Sequence, residues 1–236
     1  MKKLMFVAAA ALCASVFATA IESSNIVGYA QNNLQTGFTM ATSQFLPVTG
    51  TGISLESIVP NRVNAVTIQL LSSAGVMVQS YQYMDWAGPD YDQTAWADLD
   101  GNIAENVVFA PGQGLWIQAA ESTDAITTAG AVGFDDVTVS LRAGFTAVGN
   151  PFPVAIPLQD IVASQVNTTT IQLLSPAGVM LESYQYMDWA GPDYDQTAWA
   201  DLDGNIAEDV VIQPGQGLWI QAASTEDSIT FPAPEL

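Results

Sequence analysis

The chain has 236 residues and no histidine, and its 24 carboxylates outnumber four basic side chains, giving a formal charge of −20 at neutral pH. That balance excludes nucleic-acid binding, because a phosphate backbone needs a basic footprint. It disfavours anionic membrane surfaces for the same reason.

The first segment predicts an export signal. Lys2 and Lys3 form a basic start, Leu4 to Phe17 an apolar run, and Ala18-Thr19-Ala20 a small-residue cleavage site. The run is shorter than the roughly 20 apolar residues of a membrane span. Cleavage after Ala20 removes Cys13 and both lysines. The expected mature chain then has no cysteine and only Arg62 and Arg142 against 24 carboxylates, a charge near −22. No membrane insertion is expected once the signal is removed.

Downstream, the pattern predicts strands. Val66 to Ser72 is rich in apolar and β-branched residues, Ser73-Ala74-Gly75 reads as a turn, and Val76 to Met84 as the returning strand. Trp86 and Trp96 flank Gly, Pro and Asp residues in what reads as a loop. Pro111-Gly112-Gln113-Gly114 turns into a strand at Leu115 to Ala119, where Trp116 reads as a core residue. Asp124 to Thr128 and Val137 to Leu141 are further strands. Only Leu55 to Val59 and Leu158 to Val162 suggest a helical turn.

One repeat dominates this order. Val66 to Ala120 aligns without gaps to Thr169 to Ala223, 103 positions later, with seven differences in 55 positions. Weaker matches extend it in both directions. The expected organisation is a signal at 1–20 and two β repeats at 21–133 and 134–236. The expected fold is all-β, with two tandem sandwich- or barrel-like units.

The chemistry is restricted. Without His, Cys or Lys in the mature chain, the usual bases and nucleophiles are missing, and zinc lacks its preferred ligands. The expectation is therefore a protein that is not an enzyme. Two constellations remain. Asp98, Asp100 and Asn102, repeated as Asp201, Asp203 and Asn205, alternate oxygen donors around a glycine, which suits calcium or a tight Asx turn. Calcium is the only cofactor suggested. Trp86, Tyr91 and Trp96, repeated as Trp189, Tyr194 and Trp199, offer aromatic faces for stacking on sugar rings. Two such sets on one chain would give avidity for a polymer.

Three motifs carry a resemblance. They are Asn25-Ile26-Val27-Gly28-Tyr29, Gly144-Phe145 with Asn150-Pro151, and Gly112-Gln113-Gly114 leading to Trp116. With them the chain resembles a loose group of exported bacterial β-repeat proteins. The first repeat departs from the pattern, with Ser43-Gln44 where the second has Asn150-Pro151. The resemblance implies export and β architecture and transfers no functional residue. The functional expectation is a secreted or cell-surface acidic protein with a structural or adhesive role, its partners being further copies of itself or an extracellular glycan. The alternative is a non-catalytic carbohydrate-binding protein with two equivalent sites.

Overall fold

A computed structural model describes residues 27–71, 77–88, 91–175, 179–191 and 194–235. The expected Ser73 turn and the signal segment lie outside them. The fold is all-β, with antiparallel sheets and two short 3-10 turns at Leu55–Ser57 and Leu158–Asp160. Among the described residues no helix is long and apolar enough to cross a membrane.

The first ten strands are β1 (Val27–Asn33), β2 (Gly37–Ala41), β3 (Ile53–Ser54), β4 (Ile58–Pro60), β5 (Val66–Leu71), β6 (Met77–Gly88), β7 (Tyr91–Ala97), β8 (Val108–Phe109), β9 (Leu115–Ala119) and β10 (Ala125–Ala131). They form a five-stranded sheet β2-β9-β5-β6-β7, a three-stranded sheet β1-β10-β4 and a two-stranded pair β3-β8. The second ten repeat the scheme: β11 (Val137–Ser140), β12 (Gly144–Gly149), β13 (Ile156–Pro157), β14 (Val162–Ala163), β15 (Thr170–Leu174), β16 (Met180–Gly191), β17 (Tyr194–Ala200), β18 (Val211–Ile212), β19 (Gly217–Ala222) and β20 (Ser228–Phe231). Their sheets are β12-β19-β15-β16-β17, β11-β20-β14 and β13-β18.

Period-two patterning explains the layers. In β5, Val66, Ile68 and Leu70 are buried, while Thr67, Gln69 and Leu71 are not. The buried set meets Leu115 and Ile117 of β9, Ile58 of β4 and Ile126 of β10, so the five- and three-stranded sheets enclose one apolar core. The second repeat builds the same core from Ile171, Leu218, Ile220, Ile161 and Ile229. Beside it, Asn150 is fully buried. Its Nδ2 donates to Val154 O at 2.8 Å and Ile212 O at 3.1 Å, and its Oδ1 accepts from Phe152 N at 3.0 Å. In the first repeat the shorter Ser43 closes only the local turn, through Phe45.

The stretch from Trp86 to Trp96, expected as a loop, is instead part of a long hairpin of β6 and β7. Register runs from Gln82↔Ala97 to Gly88↔Tyr91. Its polar residues Asp92, Gln93 and Thr94 all lie in β7.

Strand ladders close within each repeat, and the repeats join reciprocally. Ala41 bridges Gln216, and Val148 bridges Gln113. These pairs are equivalent, since Ala41 aligns with Val148 and Gln113 with Gln216. Thr42 N donates to Gly215 O at 3.0 Å, and its counterpart Gly149 N donates to Gly112 O at 2.9 Å. This is the self-complementary contact of a two-fold dimer, made inside one chain. The Pro-Gly-Gln-Gly turns lie at its centre. A Cβ on Gly114 would fall 2.8 Å from Ala147, and one on Gly217 2.4 Å from Met40. Around them Met40, Ala147, Leu174, Leu71, Trp116 and Trp219 form a small apolar cluster that spans both repeats.

Gly114→Ala and Gly217→Ala should therefore loosen the joint. Each is expected to cost about 1–3 kcal/mol, the usual range for overpacking, and the pair should make the 132–136 connection more sensitive to protease. Thermal unfolding and limited proteolysis read both effects. An unchanged melting temperature in the double variant would contradict this account of the joint.

Candidate functional site

The tryptophans exchange their expected roles. Trp96 and Trp199 are 2% and 0% exposed. Their indole N–H groups donate to Ile58 O at 2.8 Å and Ile161 O at 2.7 Å, tying the five-stranded sheet to β4 and to the start of β14. Tyr83 and Tyr186 pack against these rings at 5.3 and 4.9 Å. Trp96 and Trp199 are thus core residues, and no sugar ring can stack on them. The side chains of Trp86, Tyr91 and Tyr194 lie outside the described residues. Trp189 is half-buried and pairs with Gln196 across the hairpin.

Trp116, expected in the core, points the other way. Leu115 and Ile117 take the core face of β9, so Trp116 must take the opposite face. There it stacks on Phe38, with centroids 5.6 Å apart and planes 26° from parallel. Trp219 meets Phe145 edge-on at 6.2 Å. Cross-strand partners share a face. The register Phe38↔Gln118↔Thr67↔Gln82 and Met40↔Trp116↔Gln69↔Ser80 therefore lays two rows across the outer face of the first five-stranded sheet. The second repeat has Phe145↔Gln221↔Thr170↔Gln185 and Ala147↔Trp219↔Gln172↔Ser183. The outcome is two equivalent faces of aromatic, amide and hydroxyl side chains, on each of which the tryptophan is half-buried beside the joint cluster of Met40 and Ala147. Sequence reasoning missed them, although the alternation T-I-Q-L and L-W-I-Q-A already held the signal.

The acidic motifs form turns. Asp98 Oδ1 accepts from Asp100 N at 3.0 Å and Asn102 N at 2.8 Å, and Oδ2 accepts from Asn102 Nδ2 at 3.0 Å. Asp201 makes the same bonds to Asp203 N, Asn205 N and Asn205 Nδ2 at 2.9, 2.8 and 2.9 Å. Gly101 and Gly204 supply the positive φ, +82° and +85°. The Asn side-chain amide, followed by the backbone N–H groups, holds each Asp carboxyl below its ordinary pKa. Both carboxylate oxygens thus face N–H donors of their own loop. Among the described residues no three His, Cys, Asp or Glu side chains converge to hold a metal ion, so the calcium expectation finds no ligand cluster there.

Two clefts flank the joint between repeats. One, of about 400 Å³, runs beside Gln113, Thr138, Ser140, Arg142 and Thr146. The other, of about 500 Å³, runs beside Gln216, Asn33, Gln35 and Thr39. They are counterparts, with Arg142 replacing Gln35. The other arginine, Arg62, forms a bidentate pair with exposed Glu121 at 2.6 and 3.2 Å. It also lies 3.2 Å from the buried Asp124 Oδ1, as a charge contact without hydrogen-bond geometry.

No protein-family model, no curated protein and no solved structure matches the chain.

Two outcomes test this geometry. Trp199→Phe removes the donor to the Ile161 carbonyl and should cost about 1–3 kcal/mol, the penalty of an unpaired buried acceptor, measured by denaturant unfolding. Asp98 and Asp201 have folded-state pKa values below the unfolded one. The stability they contribute is fully present above about pH 4 and is lost as pH falls through the depressed folded values. Asp98→Asn with Asp201→Asn should lower the melting temperature at pH 7 and flatten its fall below pH 4. Parallel curves for variant and parent would refute the turn assignment.

Proposed function

We propose that this protein is a secreted or cell-surface acidic scaffold with a structural or adhesive role, acting without catalysis. The observation that carries the reading is the pair of equivalent outer sheet faces presented by one chain. Two like surfaces bind a repetitive partner with avidity that neither has alone. Export rests on the basic, apolar and small-residue order of the first twenty residues. The resemblance to exported β-repeat proteins supports the same reading.

A second reading, a non-catalytic carbohydrate-binding protein, is favoured by the chemistry of those faces. Phe38 with Trp116, and Phe145 with Trp219, provide apolar ring surfaces. Gln69, Gln118, Gln172 and Gln221 provide uncharged donors and acceptors beside them. That combination suits a neutral polysaccharide, which the protein's charge does not repel. The glycan surface is accordingly assigned to these residues, with Trp189 at its margin, in place of Trp96 and Trp199.

The test is retention on insoluble and soluble polysaccharides. Trp116→Ala or Trp219→Ala alone should weaken retention, and the double variant should abolish it, because each removes one face of a bivalent binder. Retention unchanged in the folded double variant would overturn the surface assignment. Failure of every neutral polysaccharide to bind would overturn the carbohydrate reading.

A further inference from the structure

The two repeats differ at one point on the outer edge of the hairpin. In the second repeat, Gln159 lies beside β17. Its Nε2 donates to Trp199 O at 2.8 Å, and its Oε1 accepts from Trp199 N at 3.0 Å. One side-chain amide thus makes both hydrogen bonds that a residue of a neighbouring strand would make. Trp199 O also receives Ala207 N at 2.9 Å, from the turn that folds back along the edge.

In the first repeat the counterpart of Gln159 is Glu56. A carboxylate can accept but cannot donate, so it cannot cap both groups, and it is repelled by the Trp96 carbonyl. Glu56 is exposed and makes no side-chain hydrogen bond to Trp96 among the described residues. The Trp96 carbonyl keeps only the Ala104 N–H at 2.8 Å. Register is the same in both hairpins, Tyr83↔Trp96 and Tyr186↔Trp199, so Trp96 N–H points out from the sheet as Trp199 N–H does. What results is an open cleft of about 310 Å³, floored by Gln93 to Trp96 of β7 and bounded by Glu56, Val59 and Glu105. The Trp96 ring is buried, so Trp96 reaches the cleft through its backbone. Every lining residue recurs 103 positions later except Glu56.

We infer that this cleft is a strand-addition site, taking an extended basic peptide segment that pairs with β7 from Gln93 to Trp96. It is a site beyond the sheet-face reading and does not depend on it. An edge strand with free backbone groups is a template for such pairing. Gln159 supplies the stand-in: an amide seated on the same backbone groups of the sister repeat. Glu56 and Glu105 set the charge of the occupant. They favour lysine or arginine side chains and repel a second copy of this acidic chain.

The experiment uses the full protein and a blocked heptapeptide of alternating lysine and valine, followed by calorimetry. One site per chain is expected. Glu56→Gln places the capping amide over Trp96 and should weaken binding by at least about tenfold, the worth of one or two lost hydrogen bonds and a charge contact. Gln159→Glu should uncap β17 and raise the stoichiometry to two, a gain that misfolding cannot produce. A peptide N-methylated on its edge-facing amides should not bind. Undiminished binding by Glu56→Gln, or by the N-methylated peptide, would overturn the inference in favour of simple charge attraction. Self-association of the protein without peptide, abolished by Glu56→Gln, would overturn the peptide as occupant in favour of a second copy.

Discussion

The arrangement of this molecule depends on a close contact at which two pairs of glycines leave no room for a side chain of their own. At the joint between repeats, Gly112 and Gly114 approach Val139 and Ala147, and Gly215 and Gly217 approach Gln44 and Met40. Close approach lets Thr42 and Gly149 hydrogen-bond across the joint, satisfying polar groups of the sheet corners that would otherwise be left without a partner. The same contact orients the two five-stranded sheets by a pseudo-two-fold relation. Whatever one outer face offers, the other offers again. A requirement on four glycines thus underlies the pairing of the two faces.

Against that common frame, the repeats differ at a few core positions, such as Phe109 against Ile212 and Val66 against Thr169, and also at edges and turns. The aligned cores hold Ile68 and Ile171, Leu115 and Leu218, Trp96 and Trp199, each in the same place. Outside the core, divergence is found where a polar group needs a partner. Asn150 satisfies two distant carbonyls where Ser43 satisfies its own turn. Asp124 and its counterpart Asp227 both accept a turn N–H, from Glu121 and Ser224, but Asp124 has Arg62 beside it where Asp227 adds the N–H of Ala223. Gln159 seals an edge that Glu56 leaves open. Edge positions can change their chemistry without disturbing the packing, which is where one copy can acquire a task the other lacks.

Much of the fold was legible in the sequence, and the misreadings have physical causes. Alternation in Val66 to Leu71 and Leu115 to Ala119 marks strands directly, and the helical turns near Leu55 and Leu158 appear as expected. The hairpin of β6 and β7 was hidden because Asp85, Gly88 and Asp92 are residues that loops favour, and composition outweighed period. Trp116 was read from its apolar neighbours in sequence. In a strand those neighbours face away from it, so Leu115 and Ile117 in the core put Trp116 on the opposite face, where it is half-buried against the joint cluster. Trp96 was read from a polar neighbourhood, yet its position opposite Tyr83 is set by register across the hairpin, which no local window contains. Asp98 and Asp201 were legible as turn-formers, because the bonds an Asx turn needs are all within four residues.

Charge then decides which of the exposed surfaces can meet which partner. Nearly every ionisable group is acidic, and Arg62 is already engaged by Glu121. Repulsion between copies grows as salt falls, with a screening length of about 8 Å at physiological ionic strength. A neutral partner at the outer sheet faces would feel little of this, since the rows there carry no charged side chain: they hold Gln, Thr, Ser, aromatic residues, Met40 and Ala147. A partner at the β7 edge meets Glu56 and Glu105 directly and must carry compensating charge. The cleft beside Arg142 is the one described surface where the local sign reverses, and its counterpart beside Gln35 is uncharged at that position. A nearly exact duplication has in this way produced one shared pair of neutral faces and two sites at which the copies differ by a single charge. The shared faces suit a repetitive partner, and the charged differences suit partners bound once per chain.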